Sequence, residues 1–433
     1  MNLTWSKRLL LGFQHVLAMF GATVLVPIIT GLDTSVALFT AGAGTLLFHL
    51  ITKRKVPVFL GSSFAFIPAI LAVKAMYATP ENPNAGLPYA TGGIVVAGLV
   101  YVAVAGLVAL FGPSVMKKLL PPVVIGPVII TIGLTLTPVA YDMARSHWIV
   151  AVIAMACTAM VAVFARGLLR VVPILAGVIC GYVASFFFGL VDLAPVARAS
   201  VFSLPAFIAP KFSVQALAIV VPVALVTMVE HLGDITTVGA TVGQDFVAEP
   251  GLHRTLVGDG LATSLAGLLG GPANTTYSEN TGVIAVTKVH DPSVLRIAAV
   301  VALVMSCVGK VGAVLLTIPS PVMGGISIIL FGMIASIGMR VMVESKIDFS
   351  NARNMLIAAF VLTLGIMSVL GDANPAVIRI GSYLELKGLG LATLVGIVLN
   401  LVLPEKDKDA NPAPSMESQS KVDVAGSRVG LAK

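Results

Sequence analysis

Apolar runs approaching 20 residues recur along this chain from about residue 10 to about residue 403. A run of that length crosses the roughly 30 Å hydrocarbon core of a bilayer as one helix. Charged residues make up only 11% of the 433 residues, against about a quarter in a soluble domain, so a water-facing surface of this size could not be covered. Those two facts exclude a soluble enzyme and a disordered chain. They also exclude a β-barrel, whose spans are segments of about ten residues with alternating polarity. The first run, from about Leu9 to Ile29, is too long for a cleaved leader and is followed by no A-x-A site, so it reads as a span.

Fourteen spans are predicted, at about 10–29, 36–51, 57–74, 91–111, 121–139, 148–165, 172–190, 215–238, 255–271, 274–289, 296–314, 319–340, 353–370 and 388–403. An even count puts both ends on one side. With both termini cytoplasmic, 20 of the 27 Lys and Arg fall inside, which is the positive-inside pattern and makes this the preferred orientation. The same pattern accounts for the net charge of +7 without nucleic acid. Residues 404–433 are polar and read as a disordered cytoplasmic tail. Cys157, Cys180 and Cys307 lie within apolar runs, are expected to be small buried residues, and have no CxxC or Cys/His spacing for a metal.

Seven spans per half would give an inverted repeat, a common transporter architecture. Pro122, Val123 and Gly126 of span 5 match Pro321, Val322 and Gly325 of span 12. Gln14-His15 of span 1 corresponds to Glu230-His231 of span 8. Spans 3 and 10 are interrupted in the same way. Pro57-Val58-Phe59-Leu60-Gly61-Ser62-Ser63-Phe64 and Pro272-Ala273-Asn274-Thr275-Thr276-Tyr277-Ser278-Glu279 put extended-favouring and polar residues where a helix should run. Such backbone at membrane depth is tolerated beside a cavity or inside protein, and a pair of them marks a substrate site. The half-helices that follow would aim free N–H groups at that site.

Three carboxylates fall inside spans: Glu230, Asp234 and Glu279. An ionisable group there is functional by default. Glu230 and Asp234 share a helix face at a spacing of four. A carboxyl that exchanges a proton suits a proton-coupled carrier, because its protonated form donates a hydrogen bond and its ionised form only accepts. His231 points about 100° from Glu230 and is assigned a packing or supporting role. Gln14 and His15 are candidates to reach the site from the other half. Asp259, between Gly258 and Gly260, is placed near the cytoplasmic end of span 9. Its flanking residues have the wrong order for a Gly-x-Gly-Asp protease motif, so no enzyme is expected.

Glu279-Asn280-Thr281-Gly282-Val283-Ile284-Ala285-Val286-Thr287-Lys288 resembles the signature of the nucleobase–ascorbate transporter family at every fixed position. Phe20-Gly21-Ala22-Thr23-Val24-Leu25-Val26-Pro27, Gly61-Ser62-Ser63-Phe64-Ala65-Phe66 and Asn274-Thr275-Thr276-Tyr277 are similar to the family's bacterial uracil permeases. The resemblance implies an all-α polytopic membrane protein of the cell inner membrane. It would have 14 transmembrane segments in a 7+7 inverted repeat, with short antiparallel strands where spans 3 and 10 meet. A core domain would comprise residues 8–111 and 215–314, and a gate domain residues 117–190 and 319–403. The implied activity is uracil import by proton symport, as a homodimer and without cofactor. Glu230, Glu279, Phe64, Ala22, Tyr277 and Ser278 would bind substrate; Glu230, Glu279, Asp234, His231, Gln14 and His15 would couple or support proton transfer. Two positions depart from close uracil permeases: Asp234, where some carry His and purine carriers often carry Asp, and Phe331, where close members carry Tyr. A purine or xanthine carrier of the same fold is the alternative.

Overall fold

Glycine, proline and capping residues punctuate the apolar runs into helices. A computed structural model describes residues 4–114, 121–367, 377–380 and 384–404. Helix α1 (Trp5–Thr30) ends at Gly31, whose φ of 88° lets its N–H reach Pro27 O at 2.7 Å. Helix α2 (Thr34–Ile51) starts at once, because the Asp33 carboxylate accepts from the Val36 N–H. The chain then leaves helix for β1 (Leu60–Ser62), makes a single 3-10 turn at Phe64–Phe66, and resumes as α3 (Ile67–Tyr77) and α4 (Leu87–Phe111).

After residues 115–120 come α5 (Pro122–Thr135), α6 (Thr137–Ala144), α7 (Trp148–Phe164), a 3-10 turn at Gly167–Val171, and α8 (Pro173–Phe187). The short α9 (Ala194–Arg198) leads to α10 (Val214–Val220) and α11 (Val223–Val242), divided at Pro222, which lacks the N–H that would continue the ladder. Next are α12 (Leu252–Leu268), β2 (Asn274–Thr276), α13 (Ser278–Thr287), α14 (Pro292–Ser306), α15 (Gly309–Leu316), α16 (Ser320–Glu344) and α17 (Ala352–Ile366). A hairpin of β3 (Val377–Ile380) and β4 (Leu384–Lys387) precedes α18 (Gly388–Val402). The spans predicted at 353–370 and 388–403 leave this hairpin in the connection between them. The predicted tail, beyond Pro404, lies outside the described residues, as do Lys117 and Lys118 of the charge pattern.

Among the described residues, six helical stretches are 18 residues or longer and apolar enough to cross a membrane: Trp5–Thr30, Thr34–Ile51, Leu87–Phe111, Pro122–Ala144, Val214–Val242 and Ser320–Glu344. The chain is a multi-pass membrane protein. Six further apolar helices are shorter, from 10 to 17 residues. The cysteine expectation is corrected. Cys180 is exposed and Cys157 and Cys307 are half-buried; all three are free thiols, and the Cys157 and Cys180 sulfurs lie 2.8 Å apart across α7 and α8. These helices present an apolar outer face, so small apolar residues there need not be buried.

The helices pack in two groups. In one, α12 lies against α4 and α2, and α14 against α1 and α2. In the other, α16 lies against α5, α6 and α7, and α17 against α5 and α18. With lipid outside, such contacts depend on close backbone approach through small residues. At the α4–α12 crossing, a Cβ on Gly98 would sit 2.3 Å from the Gly260 carbonyl oxygen, and one on Gly260 would sit 2.4 Å from the Tyr101 Cβ. Gly98→Val therefore forces the two helices apart. Overpacking of this kind costs about 1–3 kcal/mol, and thermal unfolding in detergent should show a lower midpoint than wild type. An unchanged midpoint would mean that the crossing does not hold the first group together.

Candidate functional site

The two short strands meet. β1 runs antiparallel to β2, pairing Leu60 with Thr276, Gly61 with Thr275 and Ser62 with Asn274. Three residues of ladder cannot satisfy all the backbone groups of these segments, and the surrounding helices supply the rest. Thr45 Oγ1 accepts the Leu60 N–H at 2.9 Å, Thr263 Oγ1 donates to Asn274 O at 2.9 Å, and the Asn274 amide donates to Thr40 O at 3.0 Å. The Ser63 N–H reaches Ala273 O at 2.8 Å, and the Tyr277 N–H reaches Phe59 O at 3.0 Å. Each bond answers a donor or acceptor that has no water to turn to.

Tyr277 fixes the crossing. Its hydroxyl donates to Ser62 O at 2.8 Å and receives Thr23 Oγ1 at 3.4 Å, while Ser62 Oγ donates to Thr23 O at 3.0 Å. The ring lies over Gly61, where a Cβ would come within 2.4 Å of ring carbon Cζ. A glycine is therefore required there. Ala22, one residue before Thr23, is fully buried beside this junction.

Each strand leads into the first turn of a helix. Neither Ser63, before Phe64–Phe66, nor Tyr277, before α13, makes a side-chain capping bond. The N–H groups of those first turns are thus left to other acceptors. Around them Ser278 is exposed, and Glu279 and Phe64 are half-buried. On α11, Glu230, Gly233, Thr237 and Ala240 are all exposed and share one face. Asp234 is half-buried and accepts from Thr276 Oγ1 at 2.8 Å, which ties α11 to β2. Glu230 lies within Coulomb reach of Glu279 and Asp259, and Asp234 within reach of Glu230 and Glu279. Among the described residues, no such cluster has the arrangement of a metal site.

A cavity of about 90 Å³ adjoins Glu279. It is walled by Ala18 of α1, Val171 and Val172 just before α8, Ile174 of α8 and Leu330 of α16. That is well above the space one water needs. Val171 comes close to α13 here: a Cβ on Gly282 would lie 3.2 Å from Val171 Cγ1.

The structure gathers the junction residues but turns others away. His15 is buried against α13, its Nδ1 3.0 Å from the Asn280 amide nitrogen, which also donates to His15 O at 3.0 Å. Gln14 Oε1 is buried without a hydrogen-bond partner. His231 packs away from Glu230, with its ring edge-on to Phe48. Its Nδ1 is 3.2 Å from Asp259 Oδ2, and both side chains are fully buried. The placement of Asp259 near a helix end is thereby corrected, since it sits about midway along α12. The helix begins at Leu252, three residues before the expected span, which carries Asp259 inward. Sequence reasoning passed over Asp259, Thr276 and Asn280 as site residues. The signal for Asp259 was available, because an acid inside an apolar, glycine-flanked run meets the same criterion as Glu230.

Removing one partner of a buried polar contact leaves the other facing an apolar group and costs about 1–3 kcal/mol, whereas replacing both with apolar residues costs far less. His231→Leu or Asp259→Leu alone should therefore lower the thermal midpoint more than the double substitution. A double variant less stable than either single one would contradict this pairing.

The profile of a family described as "Permease family" (Xan_ur_permease) matches residues 6–373. The chain is 44% identical to "Uracil permease" of Bacillus caldolyticus over 422 residues, covering 94% of both chains. It is 44% identical to "Probable uracil permease" of Haemophilus influenzae, covering 93% of this chain and 96% of that one. Its fold is that of the transmembrane domain of a cyanobacterium bicarbonate transporter, BicA, with TM-score 0.62, 18% identity, and 91% of this chain and 96% of that one covered. It is also that of murine Solute Carrier 26 family member A9, an anion transporter in the inward-facing state, with TM-score 0.69, 11% identity, and 93% and 69% covered. The match over nearly the whole chain, together with these relatives, places this transporter protein in the permease family that includes the uracil permeases.

Proposed function

We propose that this protein imports uracil by proton symport. One observation carries the reading: two carboxylates, Glu230 and Glu279, flank a junction where two uncapped helix N-termini begin. Uracil presents two N–H donors and two carbonyl acceptors on one flat ring. The carboxylates accept from the donors, the first-turn N–H groups serve the carbonyls, and Phe64 lies against the ring face. Ala22, Tyr277 and Ser278 complete the pocket. The names of the relatives support the substrate.

Proton coupling follows from the same groups. A proton on Glu230 or Glu279 accompanies uracil, with Asp234, His231, Gln14 and His15 supporting the exchange. Fourteen spans in two inverted halves would divide into a core (8–111, 215–314) and a gate (117–190, 319–403). The two packing groups support that division. The cavity beside Glu279 lies between them, where core would move against gate in alternating access. The protein would act as a homodimer in the cell inner membrane with both termini cytoplasmic. Asp234 supports a second reading, a purine or xanthine symporter, since the resemblance places Asp there in purine carriers.

Uptake of labelled uracil into proteoliposomes tests this. An inward proton gradient should drive uptake and a protonophore should abolish it, with excess xanthine or guanine not competing. A hydrogen bond to a charged group contributes about 1.5–3 kcal/mol, so Glu279→Gln and Glu230→Gln should each weaken transport by about 10- to 100-fold. Xanthine uptake in place of uracil would overturn the substrate, and gradient-independent uptake would overturn the coupling.

A further inference from the structure

Away from the substrate site, three guanidinium groups converge at one end of the first helix group. Arg8 lies in the first turn of α1, Arg54 follows α2, and Arg296 lies in the second turn of α14. α14 packs against both α1 and α2, and Arg296 feels the charges of Arg8 and Arg54. The acid that Arg8 and Arg296 face is Asp291. It stands 3.5 Å from Arg8 Nη2, but also accepts from the Ser293 N–H at 2.9 Å to cap α14. Nearby Lys55 is paired with Glu249, and Lys53 is exposed.

This arrangement is electrostatically unfavourable as it stands. Like charges repel, and Arg8 sits in the first turn of a helix, whose dipole favours anions. A general excess of inside-facing cations requires only exposed Lys and Arg. Here Arg8 Nε and Arg296 Nη1 are buried and have no hydrogen-bond partner. Two buried, unanswered donors within a cluster of three cations call for an anionic acceptor with several oxygens. Apolar surface continues from the same residues. Val300 and Val304 are 50% and 60% exposed at four and eight residues beyond Arg296. On α1, Trp5 is 70% exposed, with Leu9 and Phe13 exposed on the same stripe. Tryptophan at such a place marks the membrane–water boundary.

We propose that this guanidinium cluster, with Arg54 at its exposed edge, binds the phosphate headgroup of an anionic phospholipid, with its acyl chains along the α1 and α14 stripes. The charge cluster selects the headgroup, and the adjoining exposed apolar stripes favour a lipid over free phosphate.

The test uses the full-length protein, purified in detergent and delipidated. Phosphatidylglycerol, phosphatidylcholine of the same acyl chains, and inorganic phosphate are titrated separately. Native mass spectrometry reads retained lipid, and thermal unfolding reads stabilisation. Phosphatidylglycerol should be retained and raise the midpoint, phosphatidylcholine should do neither, and phosphate alone should leave the midpoint unchanged. Arg54→Gln and Arg296→Gln should each raise the phosphatidylglycerol concentration for half-maximal stabilisation at least tenfold. Arg296→Lys, which keeps the charge, should fall between. Arg340→Gln, an exposed residue paired with Glu344 on α16, should match wild type. Equal retention of phosphatidylcholine, stabilisation by phosphate alone, or an equal loss in Arg340→Gln would overturn the assignment.

Discussion

Everything in the site depends on one constraint. Backbone that leaves helical geometry in the buried interior must have every donor and acceptor answered. The β1–β2 ladder answers six residues' worth in part, and side chains from α2 and α12 complete the account through Thr45, Thr263 and Asn274. Beyond these bonds, the starts of the two helices that follow have no side-chain cap. The same constraint that forbids loose backbone thus delivers a small set of free N–H groups to one place.

Tyr277 joins this scaffold to the site. It sits between the strand it follows and the helix it precedes, and its hydroxyl is bonded to Ser62 and Thr23 on two other elements. Its ring needs Gly61 beneath it. The position of Glu279, two residues on, is therefore set by contacts that lie outside α13. Asp234 is tied to the same scaffold through Thr276, so α11 and β2 are held together at the level of the carboxylates. The neighbouring histidine serves a different purpose. His231 faces Asp259 inside the helix group, and this leaves Glu230 turned toward the open face.

Much of this was legible in the sequence, for physical reasons. Membrane helices announce themselves by composition, and an interrupted apolar run announces itself by the Pro, Gly, Ser and Asn that cannot continue a helix. Glu230, Asp234 and Glu279 stood out because charge in an apolar run is costly. Other features depend on long-range contact and carry no local signal. The pairing of His15 with Asn280 joins residues 265 apart in sequence. The position of Asp259 depended on where α12 begins, and helix starts are the least legible feature of a pattern. The β3–β4 hairpin was missed because it is short and flanked by apolar spans that dominate the pattern. The guanidinium cluster was visible only as scattered charge, counted toward orientation; its convergence is a product of packing.

The central claim is that two carboxylates each receive one ring N–H of uracil. Equilibrium binding of uracil, 1-methyluracil and 3-methyluracil to the purified protein tests it most directly. Methylation at either nitrogen removes one donor and leaves a carboxylate facing an apolar group, so both analogues should bind at least tenfold more weakly than uracil. If either methylated ring binds as tightly as uracil, at least one of the two carboxylates does not read the ring, and the geometry proposed for the site is wrong.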